Sequence, residues 1–393
     1  MGRIVFFCIP AWGHTNPTLG VVRELVRRGH EVWYYSYELL WGAIEAAGAH
    51  FVSCDAFDAE RRLSPADGAR VAKDMTFAAR ILVDTTLALD EAVDRHMSQL
   101  RPDCIVADSM AVWGKAVALK KGIPFISSTT TFAFNQYSAQ VMKRSPAELV
   151  KLLFALPRAN RQVRRLQKRG YPVRSILDIL QNDNSTHTIV YTSPEFQPCA
   201  DTFSDRYAFV GPILRPAQEP VEKTENIRVY LSMGTVNNDL LPLYRDCIAH
   251  LATPGREVLL SVGDQVPLSA FGPLPENVRI FPRVDQIAVL EQTDIFITHC
   301  GMNSASEGLY FGVPLLLLPQ TTEQDGVATR IEALGAGLRP TSQTGPAIAA
   351  AVEKLLEDPA YRQNARKIGE SFRNCPGAAG AADKIEAVLS SEC

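Results

Sequence analysis

Short apolar runs alternate along this chain with longer stretches whose apolar positions recur at helical spacing. Arg3–Ile9 reads as a buried strand, followed by a loop over Pro10–Asn16. Pro17 suits the first position of a helix, and Leu19, Val22, Leu25 and Val26 give that helix an apolar stripe. Gly29 ends it, and Glu31–Tyr35 is the next strand. The same reading predicts a helix over Ala43–Ala47, a strand over His50–Ser53 and a long helix near Val71–Leu100. Strand Cys104–Ala107, helix Val112–Lys120 and strand Pro124–Ser127 come next. Apolar strands separated by helices predict a parallel sheet covered on both faces.

The pattern then starts afresh. Residues 211–220 carry Pro212, Pro216 and Pro220 after Gly211 and read as a linker. Beyond it come strand Arg228–Ser232, helix Leu240–Leu251, and strands Val258–Ser261 and Val278–Phe281. Helix Gln286–Glu291, strand Ile295–Thr298, helix Asn303–Tyr310 and strand Pro314–Leu318 complete the second alternation. The expected fold is therefore α/β: two doubly wound, Rossmann-like parallel-sheet domains facing across a cleft. Their bounds are 1–210 and 225–375, with linker 211–224 and a terminal helix in 376–393 packing back on the first domain. Ligands of such sheets bind beyond the carboxyl ends of the strands.

Composition narrows the classes. A chain of 393 residues exceeds one ordinary core, which agrees with two domains. With 46% hydrophobic and 21% charged residues it has the make-up of a soluble globular protein. A net charge of −3 gives no global argument for nucleic acid. The eight cysteines are scattered without a Cys-x-x-Cys, which argues against zinc and for a reducing, cytoplasmic setting. The first residues, MGRIVFFCIPAWGH, are apolar, but Pro10, Gly13 and His14 break the run, so a strand fits better than a signal peptide. No run of about 20 apolar residues occurs to span a bilayer. Lys143–Arg174 holds ten Lys/Arg against one acidic residue. It reads as a solvated helical flap over the cleft or as a contact for an anionic acceptor or membrane surface.

Chemistry gathers at the strand ends. The stretch THCGMNSASEG (298–308) lies between two apolar runs, where core would otherwise continue. His299–Gly301 comes after a strand, with Asn303 or Ser304 expected to cap the next helix. A helix start offers unpaired N–H groups and the positive end of a dipole, which suits a phosphate. Gly301 permits close approach, Ser304 and His299 can add donors, and the Glu307 carboxylate can accept from both hydroxyls of a ribose. A capped helix with no ligand is the plain alternative. Ser232-Met233-Gly234-Thr235 can serve the same diphosphate. Glu323 and Gln324 can read several sugar hydroxyls, or simply be the acidic first turn of a helix over Gly326–Leu334.

Phe281–Gly337, with HCGMNSASEG, VPLLLLPQTTEQ and RIEALGAG, resembles the donor-binding region of UDP-dependent glycosyltransferases of the GT-B type. More closely it is similar to the bacterial macrolide and flavonoid group. FFCIPAWGHTNPTLGVVRELVRRGHEV, TIVYTSPEFQP and FVGPIL extend the likeness over most of the chain. The resemblance implies that His14 is the catalytic base and Asp108 the carboxylate that orients it. It implies His299, Gly301, Asn303 and Ser304 on the diphosphate, with Ser232, Gly234 and Thr235 opposite. Glu307 would bind the ribose, and Glu323 with Gln324 the sugar. Arg283, Val284 and Gln286 would surround the base, Gln286 through its backbone. Arg283 stands where many relatives carry a stacking Trp, a role arginine can also fill. Asp285 replaces a common proline and reads as a helix cap. Trp12, Phe57, Met75, Phe77, Trp113, Phe132 and Phe134 are the expected acceptor pocket, or else core.

The reaction so implied is displacement at the anomeric carbon, inverting it, with glucose moving from UDP-glucose to a hydrophobic hydroxylated acceptor. UDP-sugar is then a co-substrate and no cofactor is needed. No Asp-x-Asp accompanies the donor loops, and a helix terminus can serve in place of a metal. An oxidoreductase is disfavoured because no Gly-x-Gly-x-x-Gly succeeds the first strand. A sugar-nucleotide epimerase of the same shape, a non-catalytic nucleotide-sugar sensor, and a lipid or sterol acceptor stay open as alternatives.

Overall fold

The computed structural model describes residues 1–55, 70, 74–138, 146–180, 182–218, 221–222, 225–235 and 237–391. Its first sheet is built from β1 (Arg3–Phe7), α1 (Trp12–Arg27), β2 (Glu31–Ser36), α2 (Trp41–Ala46), β3 (His50–Ser53), α3 (Met75–Leu100) and β4 (Cys104–Asp108). It continues through α4 (Val112–Lys121), β5 (Phe125–Thr129), α5 (Pro146–Gln167), α6 (Ile176–Leu180), β6 (His187–Val190) and β7 (Tyr207–Phe209). All seven strands are parallel, in the order β3-β2-β1-β4-β5-β6-β7.

The second unit holds β8 (Ile227–Ser232), α7 (Leu241–Leu251), β9 (Arg256–Ser261), β10 (Val278–Phe281), α8 (Gln286–Glu291), β11 (Ile295–Thr298) and α9 (Met302–Tyr310). After these come β12 (Leu315–Leu317), α10 (Thr322–Ala333), β13 (Gly337–Leu338), α11 (Gly345–Glu357), α12 (Pro359–Arg373) and α13 (Gly377–Ser391). Its six parallel strands run β10-β9-β8-β11-β12-β13. Each sheet reverses direction at one place, between β1 and β4 and between β8 and β11. Crevices open at such reversals. No helix among the described residues is long and apolar enough to cross a membrane.

The two units share apolar surface. Phe132 and Phe196 belong to the first, yet they lie in one buried cluster with Leu309, Ala328 and Phe372 of the second. Phe196 sits 5.4 Å from the Phe132 ring and 5.4 Å, edge-on, from Phe372. Arg330 on α10 donates to the carbonyls of Phe196 (2.9 Å) and Glu195 (2.7 Å). The final helix crosses back: Ala381, Ala382, Ile385 and Val388 of α13 are buried in the first unit's core beside Leu25 and Ile4. Arg28 holds α13 from outside, bonding Asp383 at 2.7 Å and Glu386 at 2.6 Å.

Several boundaries differ from the expectation, each for a local reason. β1 stops at Phe7, and α1 begins at Trp12 rather than at Pro17, so His14 lies on the first helical turn instead of in a loop. The helix ladder starts with Thr15 N–H on the Ala11 carbonyl (3.0 Å), and Pro17 falls inside the helix. Proline has no N–H, so the Gly13 carbonyl four residues earlier loses its usual partner. α10 also starts early, at Thr322, because Thr321 and Gln324 form a capping box.

The basic stretch forms α5 as far as Gln167, and its last residues, 168–174, are turn and irregular chain. α5 buries Ala159, Val163 and Leu166, while its Arg158, Arg161, Arg164 and Arg165, and Lys168 and Arg169 just beyond it, face solvent. Of these Arg165 pairs with Asp84 at 2.6 Å. Phe154, on the same helix, is 69% exposed.

Candidate active site

Strand register brings the first pair of groups together. β1 and β4 are neighbours, with Phe7 beside Ala107, so the chain leaving Phe7 runs close to Asp108. His14 Nδ1 is 2.7 Å from Asp108 Oδ2, and the Asp108 side chain is 1% exposed against 20% for His14. A carboxylate can only accept, so Nδ1 carries the proton and Nε2, on the far edge of the ring, keeps its lone pair. Asp108 is itself fixed: its Oδ1 accepts from Met110 N–H at 2.9 Å. Thr130 is a member of the site that the motifs do not name. Its hydroxyl lies 3.1 Å from the same Nδ1, a second polar neighbour that suits the tautomer Asp108 imposes. The hydroxyl-rich run Ser127–Thr131 at the end of β5, next to β4, is the signal that points to it.

Burial alone would lower the His14 pKa. The Asp108 charge and hydrogen bond outweigh it, with a smaller push from Glu323, so the net shift is upward from 6.5. Glu323 opens on the cleft but is crowded by protein. Desolvation raises its pKa, attraction to His14 opposes this, and the nearby Asp108 charge adds to the rise. Glu323 of the second unit is thus within electrostatic reach of the dyad of the first.

The second sheet repeats the construction. Thr298 pairs with Ser232, so the loops after β11 and β8 run side by side. The His299 ring is held between two glycines. A Cβ at Gly234 would stand 2.6 Å from His299 Nε2, and one at Gly301 2.5 Å from it. Gly234 also has φ +82°, a conformation other residues rarely adopt. Burial lowers the His299 pKa to about 4. Burial thus favours the neutral ring, which can still donate one hydrogen bond to a phosphate.

Helix α9 is capped differently from the expectation. Gly301 is its N-cap, with no side-chain cap, so Asn303 and Ser304 lie within the first turn. The two side chains are used elsewhere. Asn303 Nδ2 donates 2.8 Å across the cleft to the Gly13 carbonyl, the group that Pro17 leaves without a helical partner. Ser304 Oγ accepts from Gln286 Nε2 at 3.3 Å. Glu307, one turn on, accepts from Gln286 Nε2 through Oε2 at 2.5 Å. Burial raises the Glu307 pKa, against the Gln286 bond and the Arg215 charge. A narrow crevice between the units has Asn16, Pro17 and Tyr191 in one wall and Asn303, Ser306 and Glu307 in another.

Other expected residues are placed less simply. Gln324 accepts from Gln320 N–H (2.8 Å) and Thr321 N–H (3.2 Å), so its amide oxygen is committed and only its NH₂ end can meet a ligand. Asp285 stands at the N-cap of α8 without capping it. Its carboxylate binds Arg215 (2.5 Å) and the Gln218 N–H (2.6 Å), tying the linker down. Arg283 is exposed and paired with Asp264, and Val284 is half-buried. Gln286 engages its neighbours through its side chain. Thr235 is exposed on the loop after β8.

The expected acceptor aromatics divide. Phe77, Trp113 and Phe132 are buried, Trp113 in the core beneath β1 and Phe132 in the joint between the units. Trp12 and Met75 are half-buried, and Phe134 is 36% exposed. Phe57 lies outside the described residues.

Comparison with known proteins matches this geometry. Residues 245–388 fit the family model described as erythromycin biosynthesis protein CIII-like, C-terminal domain. The chain is 31% identical to NDP-glycosyltransferase YjiC of Bacillus licheniformis over 98% of both proteins. It is also 31% identical to demethyllactenocin mycarosyltransferase of Streptomyces fradiae, over 99% of this chain and 87% of that protein. Among solved structures, the glycotransferase of kitacinnamycin superposes with a TM-score of 0.85 at 29% identity, covering 99% of each chain. Two parallel-sheet domains, glycine-bearing loops at the reversal of one sheet and a His–Asp pair at that of the other thus occur in a chain that belongs to the GT-B glycosyltransferases using sugar nucleotides.

Proposed function

We propose that the protein is an inverting, metal-independent hexosyltransferase that moves glucose from UDP-glucose to a hydroxyl of a hydrophobic small molecule. The observation that carries this reading is the 2.7 Å His14–Asp108 pair, set across a direct interdomain hydrogen bond from the start of α9. Nε2 of His14 takes the acceptor proton as the acceptor oxygen bonds to the anomeric carbon. The bond from that carbon to the diphosphate breaks, and the leaving oxygen keeps the electron pair. Attack from the face opposite the diphosphate turns an α-linked donor into a β-glycoside. N–H groups at the start of α9 and of the His299 ring meet the leaving group.

A ribose diol offers two donors to Glu307, and a deoxyribose only one. Loss of one such bond costs about 0.5–1.5 kcal/mol. UDP-glucose is therefore expected to give a higher kcat/KM than dTDP-glucose, and equal or better use of dTDP-glucose would remove the ribose argument. Turnover is also expected to survive excess EDTA, since the α9 terminus supplies partial positive charge. Activity lost in EDTA and restored only by magnesium or manganese would overturn that part.

The relative named demethyllactenocin mycarosyltransferase supports a natural-product acceptor. Screening hydroxylated aromatic and macrocyclic compounds with UDP-glucose, read by mass, tests the whole proposal; gain of a hexose mass is expected. A lipid acceptor at an anionic bilayer is the second reading, favoured by the exposed cations and Phe154 of α5. It predicts co-sedimentation with phosphatidylserine liposomes at low salt, and protein left wholly in the supernatant would dismiss it.

A further inference from the structure

Three side chains behind the Glu307 carboxylate form a chain of hydrogen bonds that donor binding alone does not require. Tyr230 lies on β8, fully buried, with its ring stacked on Phe296 at 4.9 Å. Its hydroxyl donates to Gln286 Oε1 at 3.0 Å. Glu307, which can only accept, decides which way the Gln286 amide points: Nε2 faces Glu307 Oε2 at 2.5 Å and Ser304 Oγ at 3.3 Å, and the Tyr230 hydroxyl holds the amide from its oxygen end. A flipped amide would set its oxygen against the carboxylate, where two acceptors repel. Gln286 thus engages both amide N–H groups and its oxygen within the protein.

We propose that Tyr230 and Gln286 are positioning residues that hold one oxygen of Glu307 and present the other, so that discrimination between ribose and 2′-deoxyribose nucleotides depends on Tyr230. This rests on the reading of Glu307 as the ribose acceptor. A carboxylate pinned at one oxygen has one orientation to offer, and a diol meets it without further ordering. A loose carboxylate must be ordered on binding, and it can turn to suit a single hydroxyl equally well. Specificity for the 2′-hydroxyl then comes from a hydroxyl on a buried strand that never touches the ligand.

Binding of UDP and 2′-deoxy-UDP, measured by titration calorimetry, tests this without knowledge of the acceptor. Tyr230→Phe keeps the ring and its stack on Phe296 and removes the hydroxyl, which bonds Gln286 and also neighbours Ser232 and Ser261. It is expected to weaken UDP by roughly three- to tenfold, the effect of one positioned hydrogen bond. Binding of 2′-deoxy-UDP should change little, so the preference collapses toward unity. Gln286→Leu should do the same. Equal weakening of both nucleotides by Tyr230→Phe would show a merely structural role and overturn the proposal. So would an unchanged preference in Tyr230→Phe alongside a lost one in Glu307→Ala, which would leave the ribose reading standing. A preference that survives Glu307→Ala would remove the ribose reading and the relay together.

Discussion

Turnover of aliphatic alcohols by His14→Ala is expected to fall by roughly 10²–10⁴-fold, the range for loss of a positioned general base. UDP binding should change little, because His14 belongs to the first unit and the donor loops to the second. One tautomer of His14 is decisive. Asp108 and Thr130 both hold the Nδ1 side of the ring, which leaves Nε2 as the only basic edge. The group must be neutral to act, and its pKa lies above 6.5. The acid limb of kcat/KM should therefore also lie above 6.5, with activity lost as pH falls through it. Measuring kcat with an aliphatic acceptor beside a UDP titration checks both halves. Wild-type-like turnover by the alanine variant would refute the assignment.

Asp108→Asn should cost roughly 10²–10³-fold with the same alcohols and far less with acidic phenols. Two losses combine. The imidazolium formed during transfer loses its counter-charge, and an amide can turn its NH₂ toward Nδ1, favouring the tautomer that has a proton on Nε2. Phenols surrender their proton easily and need the base least. The pH profile separates these effects from simple misfolding. Asp108 is the main influence raising the His14 pKa, and burial works the other way. With the charge gone, burial prevails and the acid limb should move to lower pH. An unmoved limb, or equal losses for phenols and alcohols, would show that Asp108 acts only in folding.

The two sheets are legible from the chain because buried parallel strands are short, apolar and bounded by glycine and proline. The placement of His14 near Asp108 comes from that alone, since both leave neighbouring strands at the same edge. Helix starts are harder to read. Pro17 is a strong signal for a first helical position, yet α1 tolerates it inside, because the carbonyl it strands finds Asn303 in the other unit. That partner is 290 residues away in sequence from Gly13, beyond any local pattern. Gln324 shows the reverse problem. Its chemistry suits sugar hydroxyls, but the capping box claims its oxygen, an outcome written in Thr-x-x-Gln spacing. Aromatic side chains give the least guidance. Phe132 and Phe134 are near neighbours in the chain, yet one is sealed in the interdomain joint while the other meets solvent. Only the course of the loop decides between them.

The returning helix α13 constrains how this enzyme can be recombined with its relatives. A hybrid made by a single crossover in the linker would keep residues 1–210 but take its last helix from the other parent. Ala381, Ile385 and Val388 would be replaced by foreign side chains in a core they did not evolve with, and Arg28 would face a different set of carboxylates. Two crossovers, one in the linker and one near Cys375, keep that helix with its own domain. Even then Phe196 and Arg330 must come from compatible parents, since each reaches into the half that the exchange replaces.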